Sequence, residues 1–261
     1  MKLTVLGSGA AVFNPAKEYR YPASHLIEAA GSRMLLDAGI GVLPQITKLG
    51  LVIGQINTIA ISHFHADHCT LQPLLQAYFL EGKLGGSKPS LHLLGPKGIV
   101  ERAVIGFDQS GFSYKDDFLP NVDISYTEYE DGQEVRLSDS IRLIPNKTKH
   151  YALDAYSLRI ESGGKAVAYS GDSTVSEGLK KAARQADIFL CEAATSVDQS
   201  SDAGHVNPFD AGLIASNAGA KKLVLTHYTG FDANEDVLAA AQSSGFAGPI
   251  DIAVDLSSYD V

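Results

Sequence analysis

Short apolar runs rich in β-branched residues alternate along the chain with longer segments whose apolar residues recur three and four positions apart. The first pattern is typical of buried or half-buried strands and the second of amphipathic helices. The runs predict strands at residues 2–6, 25–28, 33–37, 56–61, 91–94, 123–129, 140–144, 156–160, 165–169, 188–191 and 222–225. Helices are expected at residues 39–50, 71–80, 98–107, 177–185, 207–219 and 232–245.

These elements follow one another as strands and then helices, twice over, which predicts a layered α/β protein. Residues 1–261 contain no low-complexity stretch or linker and are predicted to form a single domain. Residues 81–90 are predicted to be a loop. Residues 108–122 show no clear period, and we expect an irregular loop that overhangs a functional site.

Three histidines and one aspartate crowd into the stretch that directly follows the predicted strand at 56–61. The stretch is Ser62-His63-Phe64-His65-Ala66-Asp67-His68. Side chains alternate in extended chain, so His63 and His65 share a face and can reach one metal ion. Asp67 and His68 follow at a turn and are placed to reach a second ion. Imidazole and carboxylate are ligands that zinc and similar divalent metals accept, so the stretch predicts a metal site.

Further polar residues stand where predicted strands end or helices begin. His150, Asp172 and His227 follow strands, Glu192 stands at the end of the strand at 188–191, and His205 precedes a helix start. Ligands in layered α/β folds gather where strands end at one rim of the sheet. We therefore expect these side chains near the metal site, and we expect His25 and His92 to be structural.

The composition limits the partners and the compartment. A formal net charge of −9 argues against non-specific nucleic-acid binding, which relies on clustered Lys and Arg. The two cysteines, Cys69 and Cys191, suggest no disulfide framework. No signal-peptide pattern and no membrane-spanning apolar run is visible. The expectation is a cytoplasmic protein without a membrane partner.

The ordered set of HxHxDH at 63–68, His150, Gly171-Asp172 and Thr226-His227 resembles the metallo-β-lactamase superfamily. The resemblance spans most of the chain and implies a four-layer αβ/βα sandwich with two mixed sheets and outer helices. It implies that His63, His65 and His150 hold one divalent ion and that Asp67, His68 and His227 hold a second, with Asp172 bridging. Zinc is the expected metal, with manganese or iron as alternatives.

Several strings look like the ribonuclease Z branch of that superfamily, which includes phosphodiesterases of small cyclic phosphates. They are Tyr169-Ser170-Gly171-Asp172-Ser173, Leu190-Cys191-Glu192-Ala193-Ala194-Thr195, Gly204-His205-Val206-Asn207 and Leu225-Thr226-His227-Tyr228. The resemblance implies that His205 protonates the leaving oxygen and that Glu192 orients His205 or keeps it charged. It also implies that the protein is a homodimer. Cys191 departs from the branch, which often has histidine there.

The predicted function is a metal-dependent phosphodiesterase acting on a small, anionic, cyclic phosphodiester. Members of the branch that process transfer RNA and carry a protruding arm insert it between the third histidine and the bridging aspartate. Here the chain between His150 and Asp172 is long enough for only one hairpin. The alternatives are a lactone or thioester hydrolase, a tRNA 3′-end endonuclease lacking the arm, and a metal-binding domain without turnover.

Overall fold

The computed structural model of the protein describes residues 1–11, 19–201 and 204–261. The strands of these residues form two seven-stranded sheets. In chain order they are β1 (Lys2–Gly7), β2 (Ser24–Ala29), β3 (Ser32–Leu36), β4 (Thr58–Ala60), β5 (Ser90–Gly95), β6 (Asp123–Glu128), β7 (Val135–Ser138), β8 (Ile141–His150), β9 (Leu153–Ser162), β10 (Lys165–Tyr169), β11 (Ile188–Glu192), β12 (Leu223–Thr226), β13 (Ile250–Ile252) and β14 (Ser258–Asp260).

The two sheets have closely similar topologies. The first has the strand order β14-β1-β2-β3-β4-β5-β6 and the second β13-β12-β11-β10-β9-β8-β7. In each, the early strands pair antiparallel and the later ones parallel: β3 to β6 run parallel in the first sheet, and β10 to β13 in the second. The C-terminal strand β14 returns to pair antiparallel with β1.

Side-chain alternation along the strands divides the core into three layers. In β11, Ile188 and Leu190 face the core between the sheets, whereas Phe189 and Cys191 face the outer helices. The inter-sheet layer takes Leu3 and Val5 of β1 together with residues of the second sheet. Because each sheet is apolar on both faces, helices cover the two outer faces. The expected four-layer sandwich is confirmed.

The helices are α1 (Val42–Lys48), α2 (Leu71–Gly85), α3 (Ile99–Asp108), α4 (Leu119–Asn121), α5 (Glu177–Ala183), α6 (Pro208–Ala218) and α7 (Asn234–Ser243). Helix α6 begins with a capped turn: the Asn207 side chain accepts a hydrogen bond from the Asp210 amide, and Pro208 opens the first turn. It ends at Gly219, whose φ of 67° is left-handed. In the described ranges, every helix is too short or too polar to cross a lipid bilayer.

Some predicted elements differ from the structure. Residues 108–122 are not an irregular loop: Tyr114–Phe118 forms a π-helical turn that leads into α4. Tyr114 and Phe118 are buried in the core cluster of the first helical layer, which explains the aromatic content of this segment. Helix α2 continues to Gly85, beyond its predicted end. The helix predicted at 232–245 is shorter, because α7 begins after Ala233, without a side-chain cap, and ends at Ser243.

Candidate metal centre

The predicted site residues lie at one rim of the sandwich, beyond the carboxyl ends of strands from both sheets. His63 follows β4, His150 is the last residue of β8, and Asp172 comes just after β10. Glu192 ends β11 and His227 directly follows β12. Strands β8 and β10 both pair antiparallel with β9, so their carboxyl ends point the same way. The topology therefore brings residues that are far apart in sequence to one place.

A first group of possible ligands consists of His63, His65, His150 and Asp172, whose ligand atoms all lie within 4.8 Å of one another. The His150 Nε2 atom is 3.0 Å from His65 Nδ1. The Nε2 atoms of His63 and His150 are each 3.7 Å from Asp172 Oδ2. One carboxylate oxygen therefore faces two of the three imidazoles.

A second group consists of Asp67, His68 and His227, whose ligand atoms also lie within 4.8 Å of one another. The Nε2 atoms of His68 and His227 are 3.2 Å apart. Asp172 reaches this group with its other oxygen: Oδ1 is 3.2 Å from His68 Nε2 and 3.4 Å from His227 Nε2. Asp172 thus stands between the two groups with one oxygen directed at each.

The chemistry of these groups fits divalent metal ions. Neutral imidazole nitrogens that face each other at about 3 Å have lone pairs in need of a shared cation or proton. His63 Nε2 and His227 Nδ1 are buried and have no hydrogen-bond partner among the described residues. Buried polar atoms normally have a hydrogen-bond partner. A buried nitrogen without one, such as His63 Nε2 beside the Asp172 carboxylate, is therefore suited to bind a metal ion. The residues present therefore fit a pair of divalent ions.

Asp37, which the sequence reasoning did not single out, orients this site from below. It is buried and accepts hydrogen bonds from the Ser62 amide at 2.6 Å, the Ser62 hydroxyl at 2.7 Å and the Tyr169 hydroxyl at 2.8 Å. His68 Nδ1 lies 2.7 Å from Asp37 Oδ2. This contact fixes the tautomer that leaves His68 Nε2 free for a metal. The available signal was the position of Asp37 at the end of a predicted strand, two residues before Gly39.

His150 is oriented in a similar way by the backbone. Its Nδ1 atom donates to the Gly204 carbonyl at 2.8 Å, so Nε2 is turned toward His65 and Asp172. A backbone carbonyl is a common partner for the distal nitrogen of a metal-binding histidine. Nothing in the local sequence of Gly204 identifies it as this partner, because the contact joins segments that are distant in the chain.

The protonation equilibria reflect the burial of the cluster. Burial and the neighbouring His68 lower the pKa of His63 to about 2, so this imidazole is neutral and able to bind metal. Burial acts to raise the pKa of Asp172, but His227 and His68 outweigh it and hold the pKa well below its usual range. The pKa of Asp67 is also lowered, because its contacts with His227 and His68 outweigh its burial. Both carboxylates are therefore ionised.

Glu192 and His205 form a pair beside the two groups. Both carboxylate oxygens of Glu192 lie 3.1 Å from His205 Nδ1. Glu192 is buried and also accepts hydrogen bonds from the backbone amides of Ser173 at 2.9 Å and Ala194 at 3.1 Å. Burial raises the pKa of Glu192, against the opposing effect of its hydrogen bond to His205. His205 also belongs to a group with Asp172 and His227 whose ligand atoms lie within 4.8 Å.

Cys191, His92 and His25 lie outside the two ligand groups. The side chain of Cys191, at the position where the branch often has histidine, faces the outer helical layer and points away from the cleft. His92 lies 2.9 Å from the Thr127 hydroxyl, as expected of a structural residue. His25 is fully buried, with its ring edge-on to Tyr169 at a centroid distance of 4.7 Å.

Comparison with known proteins identifies the class. The model of the beta-lactamase superfamily domain matches residues 32–228, which is most of the chain and covers the strand-end ligands. The chain therefore belongs to the beta-lactamase superfamily. Within that superfamily the sandwich and its rim cluster are those of the metallo-beta-lactamase fold, and the protein is a metal-dependent hydrolase of that fold.

Three members of the family illustrate which proteins are similar to this chain in sequence. An uncharacterised protein of Mycobacterium tuberculosis is 30% identical, over 100% of this chain and 92% of its own length. The probable metallo-hydrolase YhfI of Bacillus subtilis is 27% identical, over 97% of each chain. A ribonuclease Z of Ignicoccus hospitalis is 25% identical, over 87% of this chain and 88% of its own.

Solved structures confirm the fold. The crystal structure of B. subtilis YhfI superposes with a TM-score of 0.83 at 24% identity, covering 99% of this chain and 98% of that one. A diphosphatase of the PhnP family superposes with a TM-score of 0.75 at 19% identity, covering 100% and 97%. Identities this low establish the shared architecture alone.

Proposed function

We propose that the protein is a dinuclear metal-dependent phosphodiesterase that hydrolyses a small cyclic phosphodiester. The observation that carries the proposal is the Glu192–His205 pair beside the two ligand groups. A diester with a poor leaving group needs a proton at its leaving oxygen, and a histidine that a buried carboxylate holds at the cleft is suited to supply one.

The proposed ligand sets follow the two groups. His63, His65 and His150 would hold one ion, Asp67, His68 and His227 the other, and Asp172 would bridge them. Zinc is the first candidate, and manganese and iron are alternatives. When bound, a pair of such ions supplies an activated water and neutralises the charge that develops on the phosphoryl oxygens.

The residues of the chain would then position and move protons. Glu192 accepts from His205 Nδ1, which holds the imidazole in the orientation that directs Nε2 away from Glu192. From there His205 would protonate the leaving oxygen, a contribution of roughly 10²- to 10⁴-fold. Asp67, whose carboxylate stays ionised, would orient the attacking water or accept its proton as well as bind metal.

A small substrate is favoured by the chain between His150 and Asp172. These residues consist of β9, a two-residue turn at Gly163-Gly164 and β10, with short connections at either end. The hairpin pairs along its whole length within the second sheet and extends no arm. The ribonuclease Z relative supports phosphodiester chemistry, whereas the acidic balance of this chain favours a compact substrate over a nucleic acid.

Two of the alternatives are enzymes, and each has a different substrate. A lactone or thioester hydrolase would use the same ligand groups but gives the Glu192–His205 pair no evident function. A tRNA 3′-end endonuclease is favoured by the ribonuclease Z relative but would have to bind its substrate without an arm.

We also propose that the protein is a homodimer, which light scattering on the purified protein would test.

The decisive experiment compares substrates on protein of measured metal content. We expect turnover of bis(p-nitrophenyl) phosphate that a chelator abolishes and added Zn²⁺ or Mn²⁺ restores. A lactone, a thioester and a precursor tRNA are assayed in parallel. Turnover of only the lactone or thioester, or of only the precursor tRNA, would replace the proposal with the corresponding alternative. Bound metal with no turnover of any of the four would indicate a domain without catalytic activity.

A further inference from the structure

We propose that Tyr151 is a specificity-determining residue whose ring contacts a planar base on the substrate, which makes the substrate a nucleoside cyclic phosphodiester. This inference rests on the proposed phosphodiesterase function and names the group that the organic part of the diester carries. Tyr151 is outside the ligand groups and outside the Glu192–His205 pair.

The position of the ring places it at the edge of the cleft. Tyr151 directly follows His150, and its ring centroid is 4.9 Å from that of His150. It is 5.9 Å from the ring of His205, to which it is nearly perpendicular at 80°. The ring therefore flanks both a proposed metal ligand and the proposed proton donor.

The ring is seated on a glycine that also orients a ligand. A Cβ atom added to Gly204 would lie 2.3 Å from Cζ of Tyr151, so the ring can occupy this place only because residue 204 has no side chain. The Gly204 carbonyl accepts from His150 Nδ1. The same short segment thus fixes a metal-site histidine and the aromatic ring beside it.

The backbone of Tyr151 adopts a conformation that is disfavoured for a large side chain. Its φ of 49° lies in the left-handed region, where glycine or asparagine is preferred and a large side chain is disfavoured. Tyr151 is 57% exposed, so a ligand in the cleft can reach it. Residues in sparsely populated backbone conformations are concentrated at active sites and ligand-binding sites.

An exposed aromatic face beside an anion-binding cleft suits a nucleobase. Bases stack on aromatic side chains whatever their sequence identity, and removing such a ring weakens binding by about 5- to 100-fold per base. The phosphoryl group is handled by the ligand groups and by His205, so the ring acts on the base alone. Tyr151 would therefore distinguish a base-bearing cyclic phosphate from the same sugar phosphate without a base.

The test compares the four common 3′,5′-cyclic ribonucleotides with ribose 3′,5′-cyclic phosphate on the metal-loaded protein. In Tyr151→Ala we expect kcat/KM for the preferred nucleotide to fall about 5- to 100-fold, mainly through KM. Turnover of the abasic compound should stay within about twofold. Tyr151→Phe keeps the ring and should behave as the wild type. An equal loss on both compounds, or no loss on either, would overturn the inference.

Two further variants separate the ring from the backbone. Tyr151→Gly removes the ring while relieving the left-handed strain, so it should lose the preference for the base yet melt at the same or a higher temperature. Phe231→Ala removes another aromatic residue, which is 64% exposed. This variant should leave kcat/KM unchanged for both the nucleotide and the abasic compound.

A binding measurement keeps the inference independent of the proposed activity. Calorimetry gives the ratio of affinities for a nucleoside 5′-monophosphate and ribose 5-phosphate in the wild type and in Tyr151→Ala. We expect the ratio to fall toward one in the variant. If the wild type hydrolyses no diester, the proposed function fails while this ratio still decides the role of Tyr151. If diesters are hydrolysed and the ratio is unchanged, only the role of Tyr151 fails.

Discussion

The two halves of the molecule share a strand pattern but contribute to the site in different ways. The first half places His63, His65, Asp67 and His68 on one short loop after β4. The second half contributes one residue at a time from separate strand ends and a helix start: His150, Asp172, Glu192, His205 and His227. The first contribution is a local motif, whereas the second exists only once the sheet has formed.

The difference shows which half sets the geometry of the cleft. The loop of the first half carries ligands for both groups, but they are brought into contact by residues of the second half. Asp172 makes this connection, because its two oxygens lie within 3.7 Å of histidines in both groups. We therefore expect substitutions in the second half to affect metal binding and proton donation separately.

The largest effect is expected from Asp172→Asn. Loss of the charge between the two groups should reduce the bound metal from two ions per chain to one or fewer. It should also lower kcat/KM on bis(p-nitrophenyl) phosphate by about 10³-fold, because charge stabilisation in the transition state is lost. Metal analysis and steady-state kinetics on the same preparation measure both quantities.

Asp67→Asn is the matched control from the first half. Asp67 approaches only the second group, with Oδ2 at 3.4 Å from His227 Nε2 and 3.6 Å from His68 Nε2. We expect it to lose one ion and keep the other. An Asp172→Asn protein that binds two ions and turns over normally would show that Asp172 does not bridge.

A smaller effect, dependent on the leaving group, is expected from His205→Ala, which has no counterpart in the first half. On a cyclic phosphate, whose alkoxide leaves poorly, kcat should fall on the order of 10²-fold because no proton reaches the leaving oxygen. On bis(p-nitrophenyl) phosphate the fall should be slight, since p-nitrophenolate leaves without protonation. Metal content should be unchanged.

Glu192→Gln tests the same pair from its buried end. It keeps an acceptor for His205 Nδ1 but removes the charge, so a loss between those of the wild type and His205→Ala is expected on the cyclic phosphate. Equal losses on both substrates for either variant would argue that the pair supports the structure of the cleft and donates no proton.

A third prediction concerns Asp37, the residue beneath the loop of the first half. Asp37→Asn keeps the shape of the side chain, and asparagine tolerates the left-handed φ of 56° found there. Both oxygens of Asp37 accept hydrogen bonds, so the amide turns an N–H donor toward either the Ser62 amide or His68 Nδ1, and metal affinity should fall about 10- to 100-fold. Activity at saturating metal should be largely retained. Competition with a chromogenic chelator measures the affinity, with His205→Ala as a control that should leave it unchanged.

The sequence predicted most of the fold because strand alternation and helix spacing are local patterns that survive in the folded chain. It predicted the loop at 63–68 for the same reason, since the ligand types lie within a few residues of each other. The strand-end residues of the second half could be placed at a rim, but their pairing with particular partners required the family resemblance. The contacts of Asp172 with both groups depend on strand order, which local patterns do not specify.

The residues that sequence reasoning missed act through contacts between distant segments. Asp37 contacts Tyr169 and His68, and the Gly204 carbonyl orients His150. The segment at 108–122 lacked a period because a π-helical turn has a different repeat from an α-helix. Each of these features is determined by tertiary packing, so the local sequence gives little indication of it.

The last and smallest prediction concerns His25, where the two halves meet. It lies on β2 of the first sheet against Tyr169 of the second, and neither ring nitrogen has a hydrogen-bond partner among the described residues. Burial lowers the pKa of His25 to about 3. The unfolded chain takes up a proton near pH 6.5 that the folded protein does not, so stability is lost as the pH falls from 6.5 toward 3.

His25→Phe removes this proton uptake and replaces an unsatisfied imidazole by an apolar ring. From pH 7.5 to pH 5, the free energy of unfolding of the metal-free variant should fall by roughly 2 kcal/mol less than that of the wild type. Urea titrations at the two pH values measure the difference, and comparison of the two proteins cancels the other histidines. His92→Phe, at a half-buried and hydrogen-bonded histidine, should show a smaller difference. Parallel pH curves for the wild type and His25→Phe would mean that the junction between the halves admits water or a proton at His25, so that its burial does not disfavour the charged form.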